Sequence, residues 1–126
     1  MRSTNPPLPT AERAWSIALR GATEDYFGLH EVLWELNAEF PEALESTKLQ
    51  VAMAAVERLL QDGLVEVYAA TWARDAFAPV PRSQVVDLLR QARSWQPEEE
   101  YLCIAATDAG MTTYSHFGVN SGGSKT

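Results

Sequence analysis

Cations, histidines and cysteines are all scarce in this chain. Ten lysines and arginines stand against 17 aspartates and glutamates, a formal charge of −7. That balance works against general binding to nucleic acid or anionic membrane, because each phosphate contact normally needs a cation. A single cysteine, Cys103, excludes an intramolecular disulfide and fits a reducing, cytoplasmic compartment. Cys103, His30 and His116 lack the spacing of a zinc site. There is no phosphate-binding loop and no dinucleotide fingerprint, so neither metal nor cofactor is expected. No apolar run approaches a membrane span. Met1 to Pro9 holds three prolines and no apolar core, which does not fit a signal peptide.

What is present is the pattern of one small globular domain, with an apolar content of 46% in 126 residues. The expected layout is a flexible arm at 1–9, a domain at 10–113 and a small polar tail at 114–126. Thr10 can cap a helix over 11–22, with Ala11, Ala14, Trp15, Ala18, Leu19 and Ala22 inward. A second helix, 28–40, carries Leu29, Val32, Leu33, Leu36 and Phe40 at helical spacing. Tyr26, His30, Trp34 and Asn37 form a row beside that stripe, and Pro41 ends the helix. A third helix covers 48–61 and begins as early as Glu42. Gly63 follows as a left-handed stop, then a strand at 64–72. The prolines of 76–82 predict a loop, and Ser83 a short helix at 84–94. Residues 101–107 form an apolar strand able to pair with 64–72, with a turn at 107–110.

The segment Glu57-Arg58-Leu59-Leu60-Gln61-Asp62-Gly63-Leu64-Val65-Glu66-Val67-Tyr68 resembles the helix-to-wing junction of winged helix-turn-helix proteins. The later strand running into Ala106-Thr107-Asp108-Ala109-Gly110 resembles the end of their second wing strand. The resemblance covers roughly 11–110 and implies an α+β fold. Its parts are a three-helix core, a two-stranded antiparallel wing and, as a departure, an extra helix between the wing strands. It also implies a DNA-binding transcription factor, although fold alone does not fix function.

The third helix is poorly equipped to read DNA. Opposite its core stripe stand Thr47, Val51, Ala54, Ala55 and Arg58, with Gln50 and Gln61 on the flank. From 42 to 62 four acids face two cations, Lys48 and Arg58. Glu24, Asp25, Glu31, Glu35, Glu39, Glu42 and Glu45 include no lysine or arginine among them. This is either a solvated acidic face or a patch that captures a basic partner. Arg74, Arg82, Arg90 and Arg93 lean the other way, as surface residues pairing with the acidic helices, a phosphate site or half of a dimer contact.

Two readings follow. The first is a non-enzymatic protein-binding module, regulatory or inhibitory in the manner of an immunity protein, that holds a basic protein surface. Tyr26, His30 and Trp34 would anchor it, and Glu31, Glu35 and Glu39 would steer it. The alternative is a dimeric winged-helix DNA-binding regulator using Thr47, Gln50, Val51, Arg58 and Arg74.

Catalysis has weak support. His30-Glu31 offers a base without a recognisable nucleophile beside it. Cys103 in an apolar strand reads as a small buried hydrophobe, and Glu98-Glu99-Glu100 as a solvated loop. Of the four tryptophans, Trp15 and Trp95 suit the core. Tyr26 and Trp34 suit a partner surface or a small-molecule pocket, or else pack under the arm or the inserted helix.

Overall fold

Helix formation begins where the sequence places a cap. Thr10 Oγ1 accepts the Arg13 amide at 3.0 Å and opens α1, Ala11–Glu24; such a cap contributes about 1 kcal/mol. The computed structural model describes residues 7–72 and 76–121, so 1–6 of the expected arm and Arg74 lie outside the described residues. Ile17, not Ala11, completes the buried stripe of α1; Ala11 is exposed and Trp15 half-buried.

A two-residue strand, β1 (Phe27–Gly28), precedes α2 (Leu29–Glu39). The Gly28 amide donates to Glu31 Oε1 at 2.8 Å, satisfying a donor at the helix start. Leu29, Val32, Leu36 and Phe40 are buried as their spacing predicts, with Leu33 packed beside them. α3 (Glu45–Gln61) buries Ala52, Ala55, Val56, Leu59 and Leu60. It ends on Gly63 at φ 73, with the Gly63 amide on Leu60 O at 3.0 Å and the Leu64 amide on Leu59 O at 2.9 Å. That paired closure is the Schellman motif, and it turns the chain directly into the strand that begins at Val65.

The remaining elements are β2 (Val65–Thr71), β3 (Ala76–Pro79), α4 (Arg82–Leu89), a 3-10 turn (Ala92–Trp95), β4 (Glu100–Ala106) and α5 (Asp108–Ser121). Among the described residues this is an α+β fold of five α-helices and a four-stranded antiparallel sheet in the order β1-β4-β2-β3. The expected pairing of 64–72 with 101–107 is present, Val67 opposite Ile104 and Tyr68 opposite Cys103.

Three expectations are corrected. The sheet has four strands rather than two, because β1 adds to β4 and the proline-bearing segment expected as a loop adds to β2. An edge strand tolerates Pro79, since its outer side needs no ladder donor. The inserted helix stops at Leu89, and the chain tightens into the 3-10 turn, where the Trp95 indole N–H donates to Leu89 O at 2.8 Å. Finally, a helix replaces the expected turn at 107–110. Thr107 Oγ1 accepts the Gly110 amide at 3.0 Å and donates to Gly63 O at 2.6 Å, so one hydroxyl caps α5 and ties it to the end of α3. α5 extends to Ser121, into the segment expected as tail.

The sheet has two unlike faces. Val65, Val67, Phe27 and Ile104 share the face that meets α1, α3 and the core. Gly28, Cys103, Tyr101, Tyr68, Ala70 and Phe77 share the other.

Candidate functional site

The second face carries a layer of rings set around small residues. By register, Gly28, Cys103 and Ala70 lie in its floor. Tyr26, just before β1, stacks on Phe77 with centroids 3.9 Å apart and planes 8° from parallel. It meets Tyr68 edge-on at 5.2 Å. The Tyr68 hydroxyl donates to Glu66 at 3.0 Å, and with this bond the side chain holds its proton more tightly than a free tyrosine.

His30 organises the other half. From the first turn of α2 its imidazole folds back over Gly28, where a Cβ would collide with it; Nδ1 would lie 2.8 Å away. Glycine is the residue that lets this ring reach the sheet. The ring meets Trp34 at 4.8 Å, Tyr101 at 5.4 Å and Trp72 at 6.0 Å. Trp72 in turn packs on Tyr101 at 4.6 Å and donates its indole N–H to Glu98 O at 2.8 Å. Trp34 and Trp72 are 53% and 56% exposed, and Tyr26 39%, so the layer is open to solvent.

Beneath them His30 is only 2% exposed, and neither ring nitrogen has a hydrogen-bond partner among the described residues. Burial lowers its pKa below the ordinary 6.5, against the opposing pull of Glu31, which keeps the imidazole neutral. Cys103, fully buried on the same face, has its thiol pushed up to about 12 by burial, reinforced by Glu31 and Asp25. It stays a thiol near neutrality and makes no hydrogen bond to His30, so the two are not a paired nucleophile and base.

The sequence-predicted site residues divide clearly. Trp34 meets His30 directly, and Tyr26 packs with Tyr68 and Phe77. Tyr68, Phe77 and Tyr101 join them from three strands and Trp72 from just past β2, and sequence reasoning missed these because strand register places them on one face. Glu39 is held by Arg13 in a bidentate pair at 2.8–3.0 Å, and Glu35 lies 3.6 Å from Arg20. Glu31 spends one oxygen on the Gly28 amide. The row of α2 carboxylates assigned to steering is therefore partly neutralised by α1. The carboxylates bearing on the ring layer are Asp25, Glu31 and Glu66.

Of the residues assigned to DNA, Thr47 and Val51 are half-buried, Gln50 is exposed, and Arg58 pairs with Asp62 at 3.2 Å. Lys48 is buried, 3.6 Å from Glu45. Arg74 lies outside the described residues. Arg82 donates to Leu60 O at 2.8 Å, Arg90 pairs with Glu57 at 2.9 Å and Arg93 with Glu98 at 3.5 Å. The arginines of the insertion thus pack α4 onto α3 and tie down the loop before β4. An open cleft of about 330 Å³ between α4, the 3-10 turn and β4 contains this Arg93–Glu98 pair.

Among the described residues no three histidine, cysteine or carboxylate side chains converge as a metal site. No helix among them is long and apolar enough to cross a membrane. No protein-family model matches the chain, and no curated protein or solved structure matches it.

Proposed function

We propose that this chain is a non-enzymatic protein-binding module, regulatory or inhibitory in role, that holds a basic protein surface on the open ring layer of its sheet. One observation carries the reading: Trp34 and Trp72 stand exposed over His30, and Tyr26 stands exposed on Phe77, with carboxylates beside them. Aromatic side chains give large contact area at low entropic cost and dominate binding energy at interfaces. Asp25, Glu31 and Glu66 would steer a cationic surface toward them. A second copy fits less well, because a two-fold contact through this face would set the same carboxylates against each other.

The scaffold is proposed to be an acidic winged helix-turn-helix put to this use. The order α1, β1, α2, α3, β2, β4, with β1 and β2 flanking β4, supports that reading. So does the glycine-closed end of α3 leading directly into β2. The outer face of α3, with Gln50, Ala54 and an Arg58 already paired to Asp62, favours protein over DNA as the ligand.

The test is co-purification with the native partner, followed by mapping of amide-exchange protection. Protection over β1, the start of α2 and β2–β3, with capture lost in Trp34→Ala/Trp72→Ala, is the expected outcome. Protection confined to α3, or recovery of duplex DNA alone, would overturn the proposal.

A further inference from the structure

The buried side-chain polar atoms without a hydrogen-bond partner in the described structure are Nδ1 and Nε2 of His30 and Oδ1 of Asn37. Both residues lie on α2 at positions i and i+7, and Trp34 stands between them at i+4 on the same row. These atoms lie unmet on one stripe of α2, beside its exposed indole. Unmet buried polar groups in a folded protein call for an explanation, and a ligand is one of them.

We propose that this stripe is an arginine subsite. The guanidinium of a basic partner seats between Trp34 and Trp72 and donates a hydrogen bond to the unprotonated nitrogen of His30. This rests on the reading of the ring layer as a docking face and specifies its central contact. The chemistry follows from what the site offers. A neutral imidazole presents one lone pair, indole faces attract cations, and Glu31 and Asp25 add negative potential. A guanidinium matches all three: it donates, it carries charge, and its plane stacks on an indole. An ammonium would satisfy the charge without the stacking.

Trp34 is the element that must move. Its ring meets the imidazole edge-on and is more than half exposed, so a change of rotamer widens access to His30 with little loss of packing. Trp72 is held by its bond to Glu98 O and serves as the fixed wall. Asn37 lies about 10 Å further along the helix, given a rise of ~1.5 Å per residue. It is therefore out of reach of the same guanidinium. It takes a second donor from the same partner segment, which must run roughly along α2.

The probes are N-acetyl-arginine methylamide and its neutral isostere, N-acetyl-citrulline methylamide, titrated against the full chain. The readouts are the imidazole nitrogen shifts of His30 and the indole N–H shifts of Trp34 and Trp72. Saturable shifts with arginine, at least about fivefold weaker with citrulline and abolished in His30→Phe, are expected. Equal responses to both probes, a response unchanged in His30→Phe, or no saturable response would each overturn the subsite. So would self-association of the chain through these rings in place of arginine binding. Partner capture that survives His30→Phe but is lost in Trp34→Ala/Trp72→Ala would refute the arginine subsite and retain the docking face. Capture unaffected by either variant would remove both.

Discussion

Replacing His30 with phenylalanine should make the protein more stable. Two imidazole nitrogens are buried without partners among the described residues, and an unmet buried polar group costs about 1–3 kcal/mol. Phenylalanine keeps the planar ring and its contacts with Trp34, Tyr101 and Trp72 while removing both nitrogens. It is slightly larger, and the ring already lies against Gly28, so overpacking returns about 1 kcal/mol. Two such groups cost about 2–6 kcal/mol, so the net gain after overpacking is about 1–5 kcal/mol at neutral pH. With an unfolding entropy of ~2.1 cal/mol/K per residue, a chain of 126 residues shifts its Tm by about 4 °C per kcal/mol. Thermal melting and urea titration read this directly. The pH dependence gives a second, independent check. Burial holds the folded pKa of His30 below 6.5, so the unfolded chain takes up the proton first as the solution is acidified. The wild type therefore has its full stability above 6.5 and loses some of it as pH falls through 6.5 toward the depressed folded value. The variant lacks that loss, so its advantage widens as the pH falls through 6.5. A folded His30→Phe protein no more stable than wild type at neutrality, or with a pH-independent advantage, would refute the picture of an unmet neutral imidazole.

Three further outcomes follow from the same geometry. Gly63→Ala should destabilise the fold by about 1–2 kcal/mol in urea, the cost of a left-handed L-residue, since a Cβ there meets nothing within 4 Å and the penalty is purely backbone. Cys103, with its thiol at about 12 and its side chain buried, should resist a thiol-disulfide reagent at pH 8 in the folded state and react fully in denaturant; fast labelling without unfolding would contradict its placement. Trp34→Ala should leave the melting temperature within a few degrees of wild type, because the indole is 53% exposed, while reducing partner affinity at least tenfold, as for an interface anchor.

The helices were legible because each carries its own start, stop and stripe: Thr10 as a cap, Pro41 and Gly63 as stops, Leu29-Val32-Leu36-Phe40 as a buried row. The central strand pair was legible from apolar content alone. What escaped depended on contacts distant in sequence. β1 is too short to have a period, and β3 is a strand only because β2 lies beside it. Half of the site was visible as the row Tyr26, His30, Trp34 on one helix. The other half needed the antiparallel register that brings Tyr68, Trp72, Phe77 and Tyr101 to the same face. Charge misled for a related reason. Counting along the chain shows a run of acids from 24 to 45, but α1 lies alongside and sets Arg13 and Arg20 against Glu39 and Glu35.

Where a small domain is well made, local and tertiary preferences agree, and the sites where they conflict are the ones retained for another reason. Most of this chain obeys that rule. Thr107 serves two elements with one hydroxyl, Arg82 satisfies a carbonyl at the end of α3, and Trp95 is buried with its indole N–H bonded. Among the described residues the buried polar atoms left unmet, those of His30 and Asn37, lie on one stripe of α2 beside indoles left in water, whereas the buried Lys48 of α3 has Glu45 3.6 Å away. The concentration of these unmet atoms in one place is difficult to ascribe to imperfect packing, which would scatter such defects through the core. It is accounted for if this face is completed by another molecule that supplies the missing donors and covers the rings.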